Sequence, residues 1–486
     1  MKNINELNIE AKEYYKKGQY DEYRNNYHFE PPFGLLNDPN GLSYYNGEYH
    51  LFFQWNPYTC EHKFKHWGLI RTKDFKKFTI PKLMMAPNDY YDKNGCYSGC
   101  GVVVGDNLEL FYTGNVKDEN DNRKVYQCRA TLDKDGNFIK KGPVIDKVAD
   151  GYTAHFRDPY VYKKDDKYIM IIGTQTKEEK GRAVVYTSYD LEKWTFEGEM
   201  KTRYEDFGYM WECPNMIKID SKDVFVFSPQ GLKKEEFRYQ NIYQSGYMMG
   251  KFNEYSLEFD HDEFEELDMG FDFYAPQVFK DDKNRNILIG WMGLPEEEKN
   301  HDSNRYNWVH SLTMPRELSI RNNKLYQFPI KEIQDLKEEK LFDLQDEKLD
   351  NIQINNICEN SYLLSLKLNK ENAKTMSLKF MLNKEEYMLL EVNFKDSIGK
   401  LHRVGKISEV RKFKIDKFKT NRSDDLKIDI FVDKSAVEIY LQDGEIALSS
   451  RVYASKDAKN IELNCDNKIK IDSFEIHRLG KVTYNE

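Results

Sequence analysis

A weak internal repeat of about sixty residues constrains this chain more than any other feature of it. Five short apolar runs, each after a turn-like cluster of Asn, Asp or Gly, recur at 49–54 (YHLFFQ), 108–114 (LELFYTG), 168–174 (YIMIIGT), 224–230 (VFVFSPQ) and 286–291 (NILIGW). Anchored on Phe52, Phe111, Ile171, Phe227 and Ile289, they stand 59, 60, 56 and 62 residues apart. Each is followed by a second strand-like stretch, clearest in HWGLIRTKDFKKF (66–78) and VVYTSYDLEKWTF (184–196), and helical periodicity is almost absent between them. One small sheet cannot bury both its faces, whereas sheets stacked around an axis can. The spacing therefore predicts an all-β fold with a five-bladed β-propeller over residues 25–330.

Around the repeat, residues 1–24 read as a short N-terminal helical extension and 331–344 as a polar linker. Residues 345–486 alternate apolar and polar in short runs, with a hairpin signal at Asp443-Gly444, and predict a C-terminal β-sandwich. A chain of 486 residues exceeds what one core usually serves, which agrees with two domains. Most of the 14% aromatic residues belong to such cores, and a few can stack on sugar rings. A net charge of −9 with dispersed Lys and Arg argues against nucleic acid as partner. No apolar run reaches the roughly 18 residues of a membrane helix, and MKNINELNIEAKEYYKK at the N-terminus lacks the apolar stretch of a signal peptide. The seven cysteines (60, 96, 100, 128, 213, 358 and 465) form no CxxC pair, and read as reduced, buried thiols of a cytoplasmic protein. Cys96 and Cys100 have no second pair to complete a metal site.

Thirteen to fifteen residues before each anchor lies a short motif: Asn37-Asp38-Pro39-Asn40, Tyr97-Ser98-Gly99, Arg157-Asp158-Pro159, Glu212-Cys213-Pro214-Asn215 and Tyr274-Ala275-Pro276-Gln277. Equivalent positions of successive blades are related by rotation about the axis. Side chains of the innermost strands thus converge on one funnel, and the spacing puts Asp38, Asp158 and Glu212 in register there. Proline is tolerated because the innermost strand is a sheet edge. Asx-Pro pairs also serve as plain turn formers, but three acids in register with Arg157, Ser98 and Tyr274 repel one another and lose solvation without structural return. They mark a site. Two acids across a small pocket suit glycoside hydrolysis. One ionised carboxylate attacks the anomeric carbon, while a protonated one, its pKa raised by burial and neighbouring charge, donates to the leaving oxygen. Stereochemistry depends on the carboxylate separation, which sequence does not give.

The segments YHFEPPFGLLNDPNGL (27–42), HFRDPYV (155–161) and MWECPN (210–215) resemble, in that order, the catalytic motifs of glycoside hydrolase family 32, the invertase and fructanase family. DKNGCYSG (92–99), FYAPQ (273–277), LTMPREL (312–318) and DKSAVEIY (433–440) agree as well. The resemblance implies Asp38 as nucleophile, Glu212 as acid/base and Asp158 as stabiliser of the transition state. It further implies a fructosyl-enzyme with retention of configuration, a five-bladed propeller with a β-sandwich, and neither metal nor organic cofactor. Asn37, Gln54, Trp67, Tyr97, Ser98, Arg157, Tyr274 and Trp291 become the candidate fructose pocket. Leu35-Leu36, Cys100 and Leu69-Ile70 depart from the family's commoner residues, which bears on the pocket's shape and not on the reaction.

Within the family, GCYSG, GYTAHFRDP (151–159), GYMWECPN (208–215), RYQNIYQSGY (238–247) and GFDFYAPQ (270–277) are most similar to the bacterial sucrose-6-phosphate hydrolases. The implied small-molecule substrate is sucrose 6-phosphate, and the products are glucose 6-phosphate and fructose. A phosphate calls for basic groups at the pocket rim. Arg238, His155, Lys63 and Lys65 are the candidates, each with a solvated surface charge as its plain alternative. Two rivals stand beside this reading. One is an invertase or fructanase acting on unphosphorylated sucrose or short fructans. The other is a non-catalytic sugar-binding propeller, against which the intact Asp38, Asp158 and Glu212 argue.

Overall fold

In the computed structural model, which describes residues 2–18, 21–297, 301–357, 360–416 and 424–485, each copy of the repeat is a small antiparallel sheet. Its first strand carries the motif with the acid and its second the apolar run. The pairs are Gly34–Tyr45 with Glu48–Asn56, Cys96–Val104 with Asn107–Lys117, Tyr152–Lys164 with Lys167–Thr176, Met210–Ile219 with Lys222–Gln230, and Tyr274–Lys280 with Asn286–Met292. The first strands touch one another in chain order, and the last returns to the first, giving a propeller-like ring.

Two-sided burial explains why the second strands are apolar throughout. Within 168–174, Ile169 and Ile171 pack with Trp211, Phe225 and Phe227 of the fourth sheet, while Met170 and Ile172 pack with Phe111 and Val125 of the second. Successive side chains of a strand point to opposite faces, so each run feeds two cores. The ring is tied at its seam by Trp308–Val309, which pairs in parallel with Gly34 and Leu35. Far along the chain, Thr483–Asn485 pairs in parallel with Lys77–Thr79 of the first sheet.

The C-terminal part is sandwich-like. Strands Ser361–Asn369, Asp425–Asp433, Ala436–Leu441 and Ile446–Arg451 form one run, and Thr375–Leu382, Tyr387–Asn393, Ile398–Val404 and Glu409–Lys414 another. The long strand Asn460–Leu479 joins them, pairing through its first residues with Thr375–Leu382 and through its last with Ser361–Asn369. Leu364, Leu378, Leu390, Ile430 and Ile439 are among its buried core. The hairpin predicted at Asp443-Gly444 is present, with both residues in left-handed backbone (φ 59° and 89°).

Three details differ from expectation or refine it. Segment 331–344 is not a loose linker: a helical turn at Lys331–Gln334 leads straight into strand Lys337–Ile354, which pairs with Asn460–Leu479. Its Lys- and Glu-rich sequence is that of an edge strand guarded by charge, which sequence reading mistakes for a connector. The N-terminal helix is Ile4–Lys17, with an Asn3/Glu6 capping box and Gly18 at its end. Of the cysteines, 96, 100 and 128 are buried, 60, 213 and 465 only half-buried, all six unpaired, and Cys358 lies outside the described residues.

Several motifs noted in the sequence prove to join the two parts of the molecule. His28 lies between Asp433 (Nδ1 to Oδ2, 3.0 Å) and Glu438 (Nε2 to Oε1, 3.0 Å). Arg316 donates to Glu438 (Nε, 3.0 Å; Nη2, 2.5 Å) and to Asp268 (3.1 Å). All five are fully buried, so this is an ionic junction closed to water.

Candidate active site

Every first strand is irregular within one residue of the same place. Between Leu36 and Pro39, Cys96 and Gly99, Arg157 and Tyr160, Glu212 and Asn215, and Tyr274 and Gln277 the strand carries one residue more than its partner. Such a bulge turns two successive side chains toward one side, here the mouth of the ring. Aligned on Pro39, Pro159, Pro214 and Pro276, the residues Asn37, Tyr97, Arg157, Glu212 and Tyr274 share one position, and Asp38, Ser98, Asp158, Cys213 and Ala275 the next. Left-handed φ values at Asp158, Cys213 and Ala275 (64°, 49° and 46°) mark that second position in three sheets. The three acids therefore do meet, but not in register: Glu212 stands one residue earlier, where the third sheet has Arg157.

The funnel has a volume of about 820 Å³ and is lined by Asn37, Asp38, Gln54, Tyr97, Ser98, Arg157, Asp158, Glu212, Tyr274 and Trp291. Asp38 accepts from Asn37 Nδ2 (3.0 Å) on one oxygen and from the Ser98 hydroxyl on the other. Asn37 also donates to Gln54 Oε1 (2.5 Å), and Gln54 donates to Ser98 (2.9 Å). Burial pushes the Asp38 carboxyl up, Ser98, Lys65 and Asn37 pull it down, and Glu212 adds a smaller upward push. Glu212 receives Arg157 on Oε1 (Nε 3.0 Å, Nη2 2.6 Å), and Gln230 (2.8 Å) and the Tyr274 hydroxyl (2.5 Å) on Oε2. Asp158 accepts from Cys213 N (3.0 Å), and its own N–H donates to Thr113 Oγ1 (3.0 Å). Its carboxyl is pushed well above the usual range, by burial first, against the pull of Arg157 and with the repulsion of Glu212 and Asp38.

The remaining sequence candidates divide. Trp67 does not line the funnel. It is fully buried behind the wall, packs on Phe52 and Tyr112, and donates its indole N–H to the Tyr97 carbonyl (3.2 Å). Arg238 lies outside, paired with Glu235 (3.0 Å). Lys65 sits within the funnel, where its ammonium donates to Asn37 Oδ1 (2.5 Å); it serves the Asp38 end and not the rim. His155 lines the wall but carries no charge at neutral pH, because burial and then Arg157 and Arg123 lower its pKa to about 4. Lys63 is at the rim, paired with Glu61 (3.1 Å). Among residues that sequence reasoning did not single out, Gln230 holds Glu212, and Lys93, Lys117, Arg123, Tyr209 and Tyr243 line the mouth. A signal existed for Gln230: it ends the fourth apolar run as Gln54 ends the first and Trp291 the fifth. Among the described residues no group of three or more His, Cys, Asp and Glu could hold a metal, and no helix is long and apolar enough to cross a membrane.

A carboxylate held by donors on both oxygens, facing a second carboxyl locked by an arginine, an amide and a phenol, is equipment for paired nucleophilic and proton-transfer chemistry. Comparison with known proteins agrees. The sequence model for the glycosyl hydrolases family 32 N-terminal domain matches residues 28–329, and the family 32 C-terminal model matches residues 333–478. A sucrose-6-phosphate hydrolase of Bacillus subtilis (strain 168) is 40% identical over 451 residues, covering 89% of this chain and 89% of its own. One from Vibrio alginolyticus is 37% identical over 446 residues, covering 90% and 87%. The solved structure of a sucrose-6-phosphate hydrolase from Lactobacillus gasseri superposes with a TM-score of 0.88 at 30% identity, over 98% of this chain and 97% of that one.

Proposed function

The chain belongs to glycosyl hydrolase family 32 and is a β-fructofuranosidase; on that premise we propose that it cleaves sucrose 6-phosphate to glucose 6-phosphate and fructose with retention of configuration. The observation that carries this reading is the facing pair in the funnel, Asp38 held by Asn37 and Ser98, and Glu212 held by Arg157, Gln230 and Tyr274. A carboxylate oxygen of Asp38 bonds to the anomeric carbon of the fructosyl ring. As the glycosidic C–O bond breaks, Glu212 gives its proton to the departing oxygen, which leaves on glucose 6-phosphate. The resulting ester removes the Asp38 charge. Glu212, now ionised, takes a proton from water, whose oxygen attacks the same carbon and returns Asp38 as carboxylate.

The hydrogen bonds around Glu212, all from donors, are those of its charged form and so of this second step. For the first step Tyr274 turns its hydroxyl to accept from the protonated carboxyl. Asp158, the most buried of the three acids, accepts hydrogen bonds from fructose hydroxyls, which become more acidic as positive charge builds on the ring. Asn37, Gln54, Tyr97, Ser98 and Trp291 complete the pocket. We read the five sheets as the five blades of one propeller and take the sandwich domain from Lys337 instead of residue 345. A sugar phosphorylated during uptake is met in the cytoplasm, where we place the enzyme.

The test compares kcat/KM of the purified enzyme on sucrose 6-phosphate, sucrose and a short fructan, with Asp38→Asn as control. We expect a clear preference for the phosphorylated sugar and a loss of at least about 10⁴-fold in the folded Asn variant. Preference for sucrose or fructan would replace the proposed substrate, and turnover by the Asn variant would remove Asp38 from its role.

A further inference from the structure

The wall of the funnel above the second sheet is cationic. Lys93 lies in the turn before strand Cys96–Val104, Lys117 ends strand Asn107–Lys117, and Arg123 opens strand Arg123–Asp133; all three line the mouth. Lys117 and Arg123 stand directly opposite each other across the antiparallel pair, an arrangement that like charges disfavour. Nearby acids answer it only in part. Asp121 pairs with Lys117 (2.8 Å), and Asp118, which feels Lys93, is exposed and bonded to Asn122. Among the described residues the Arg123 side chain forms no ion pair and no hydrogen bond. Its guanidinium lies over the ring of Tyr97, 5.8 Å from the centroid. Tyr97 precedes Ser98, whose hydroxyl holds the Asp38 carboxylate. The guanidinium and the nucleophile are thus linked through the neighbouring residues Tyr97 and Ser98. Of the other bases considered for a phosphate, Arg238 lies outside the funnel on Glu235, Lys65 is bound to Asn37 and His155 is without charge, while Lys63 pairs with Glu61 at the rim as Lys117 does with Asp121.

We infer that Arg123, with Lys93 and Lys117 beside it, receives the phosphomonoester of the substrate and sets the preference for phosphorylated over free sucrose. The inference rests on the reading of the chain as a sucrose-6-phosphate hydrolase. A guanidinium offers five N–H donors in a planar fork that matches two phosphate oxygens, and the two ammonium groups add charge without directional demand. With the fructosyl ring at the acids, the glucosyl ring reaches the mouth, and its C6 substituent is the part of the substrate that meets the rim. The phosphate takes no part in bond breaking, so its contacts act on ground state and transition state alike and show in KM more than in kcat. It also answers the like-charge pairing of Lys117 and Arg123.

The experiment uses the full chain with Arg123→Met, Arg123→Lys and the double variant Lys93→Met/Lys117→Met. For each, kcat/KM is measured on sucrose 6-phosphate and on sucrose, with inhibition by glucose 6-phosphate and by glucose alongside. Arg123→Met is expected to lower the ratio of the two specificity constants by roughly 10- to 100-fold, chiefly through KM. It should weaken glucose 6-phosphate inhibition to a similar extent, and Arg123→Lys should fall between. Partial misfolding lowers both rates together and leaves the ratio readable. A ratio within about twofold of wild type in both Arg123→Met and the double variant overturns the assignment while leaving the hydrolysis reading intact. A wild-type enzyme indifferent to the phosphate overturns the substrate reading and this inference with it, whereas a wild type that prefers the phosphorylated sugar beside variants of unchanged ratio overturns this inference alone.

Discussion

Asp158 bears the sharpest conflict between stability and chemistry in this funnel. It is buried, its backbone is left-handed (φ 64°), and Glu212 and Asp38 repel its charge while Arg157 attracts it. An acid whose pKa rises on folding binds its proton more tightly in the folded state, so folding loses stability as pH climbs from the ordinary Asp value of about 4 toward neutrality. Asp158→Asn removes the charge but keeps an oxygen to accept the Cys213 N–H. The variant should melt about 2–4 °C above wild type at pH 8, with the gap closing toward pH 4, while activity drops by at least about 100-fold. Thermal melts across that range decide the matter; parallel curves would show that the Asp158 charge is not strained. Such a residue is kept for what it does to substrate and at a cost to the fold.

The strands show what sequence can and cannot reveal about this site. The apolar runs, their spacing and the Pro-bearing motifs were legible because two-sided burial and proline at an inner edge leave marks on composition. The one-residue offset between Glu212 and Asp38 was not, because a bulge changes direction without changing residue type. The mouth cations were also hidden: Lys93, Lys117 and Arg123 are ordinary surface residues until the turn at 118–122 brings two of them opposite each other. A last feature, the stitching of first strands one to the next, lies just past the motifs. Asn40 Oδ1 accepts Gly99 N–H (3.2 Å), Cys100 Sγ accepts Val161 N–H (3.0 Å) and Asn215 Oδ1 accepts Val278 N–H (3.0 Å). Gln277 closes the ring, accepting from Leu42 N–H (2.9 Å) and donating to the Gly99 carbonyl (2.7 Å). Cys100, a departure from the family's commoner serine, thus carries a bond between sheets. Gln277→Leu keeps the volume but strands a buried donor and a buried acceptor, and should destabilise by about 2–4 kcal/mol. Urea unfolding measures this, and a change below about 0.5 kcal/mol would mean the ring does not need its clamps.

At the scale of the whole molecule, the funnel depends on the propeller-like ring keeping its shape, and the sandwich-like part grips that ring through the buried junction of His28, Asp433, Glu438, Arg316 and Asp268. Breaking a buried ion pair by removing one partner typically costs about 3–5 kcal/mol, because the other charge is left without compensation. The junction also has a pH signature. Burial pulls the His28 pKa down, but its hydrogen bonds to Asp433 and Glu438 outweigh that and raise it to about 9. Burial pushes Glu438 up, but Arg316 and His28 bring it down to about 2. The His28 contribution is therefore complete below its unfolded value of about 6.5 and disappears as pH rises through about 9. That of Glu438 is complete above about 4.5 and is lost as pH falls through about 2. Both act fully only between roughly pH 4.5 and 6.5. His28→Gln, which keeps hydrogen bonding but cannot take the charge, should melt well below wild type at pH 6, with the two curves converging as pH passes 9. A constant difference from pH 6 to 10 would mean that His28 is neutral in the junction and holds the two parts together by shape and neutral hydrogen bonds alone.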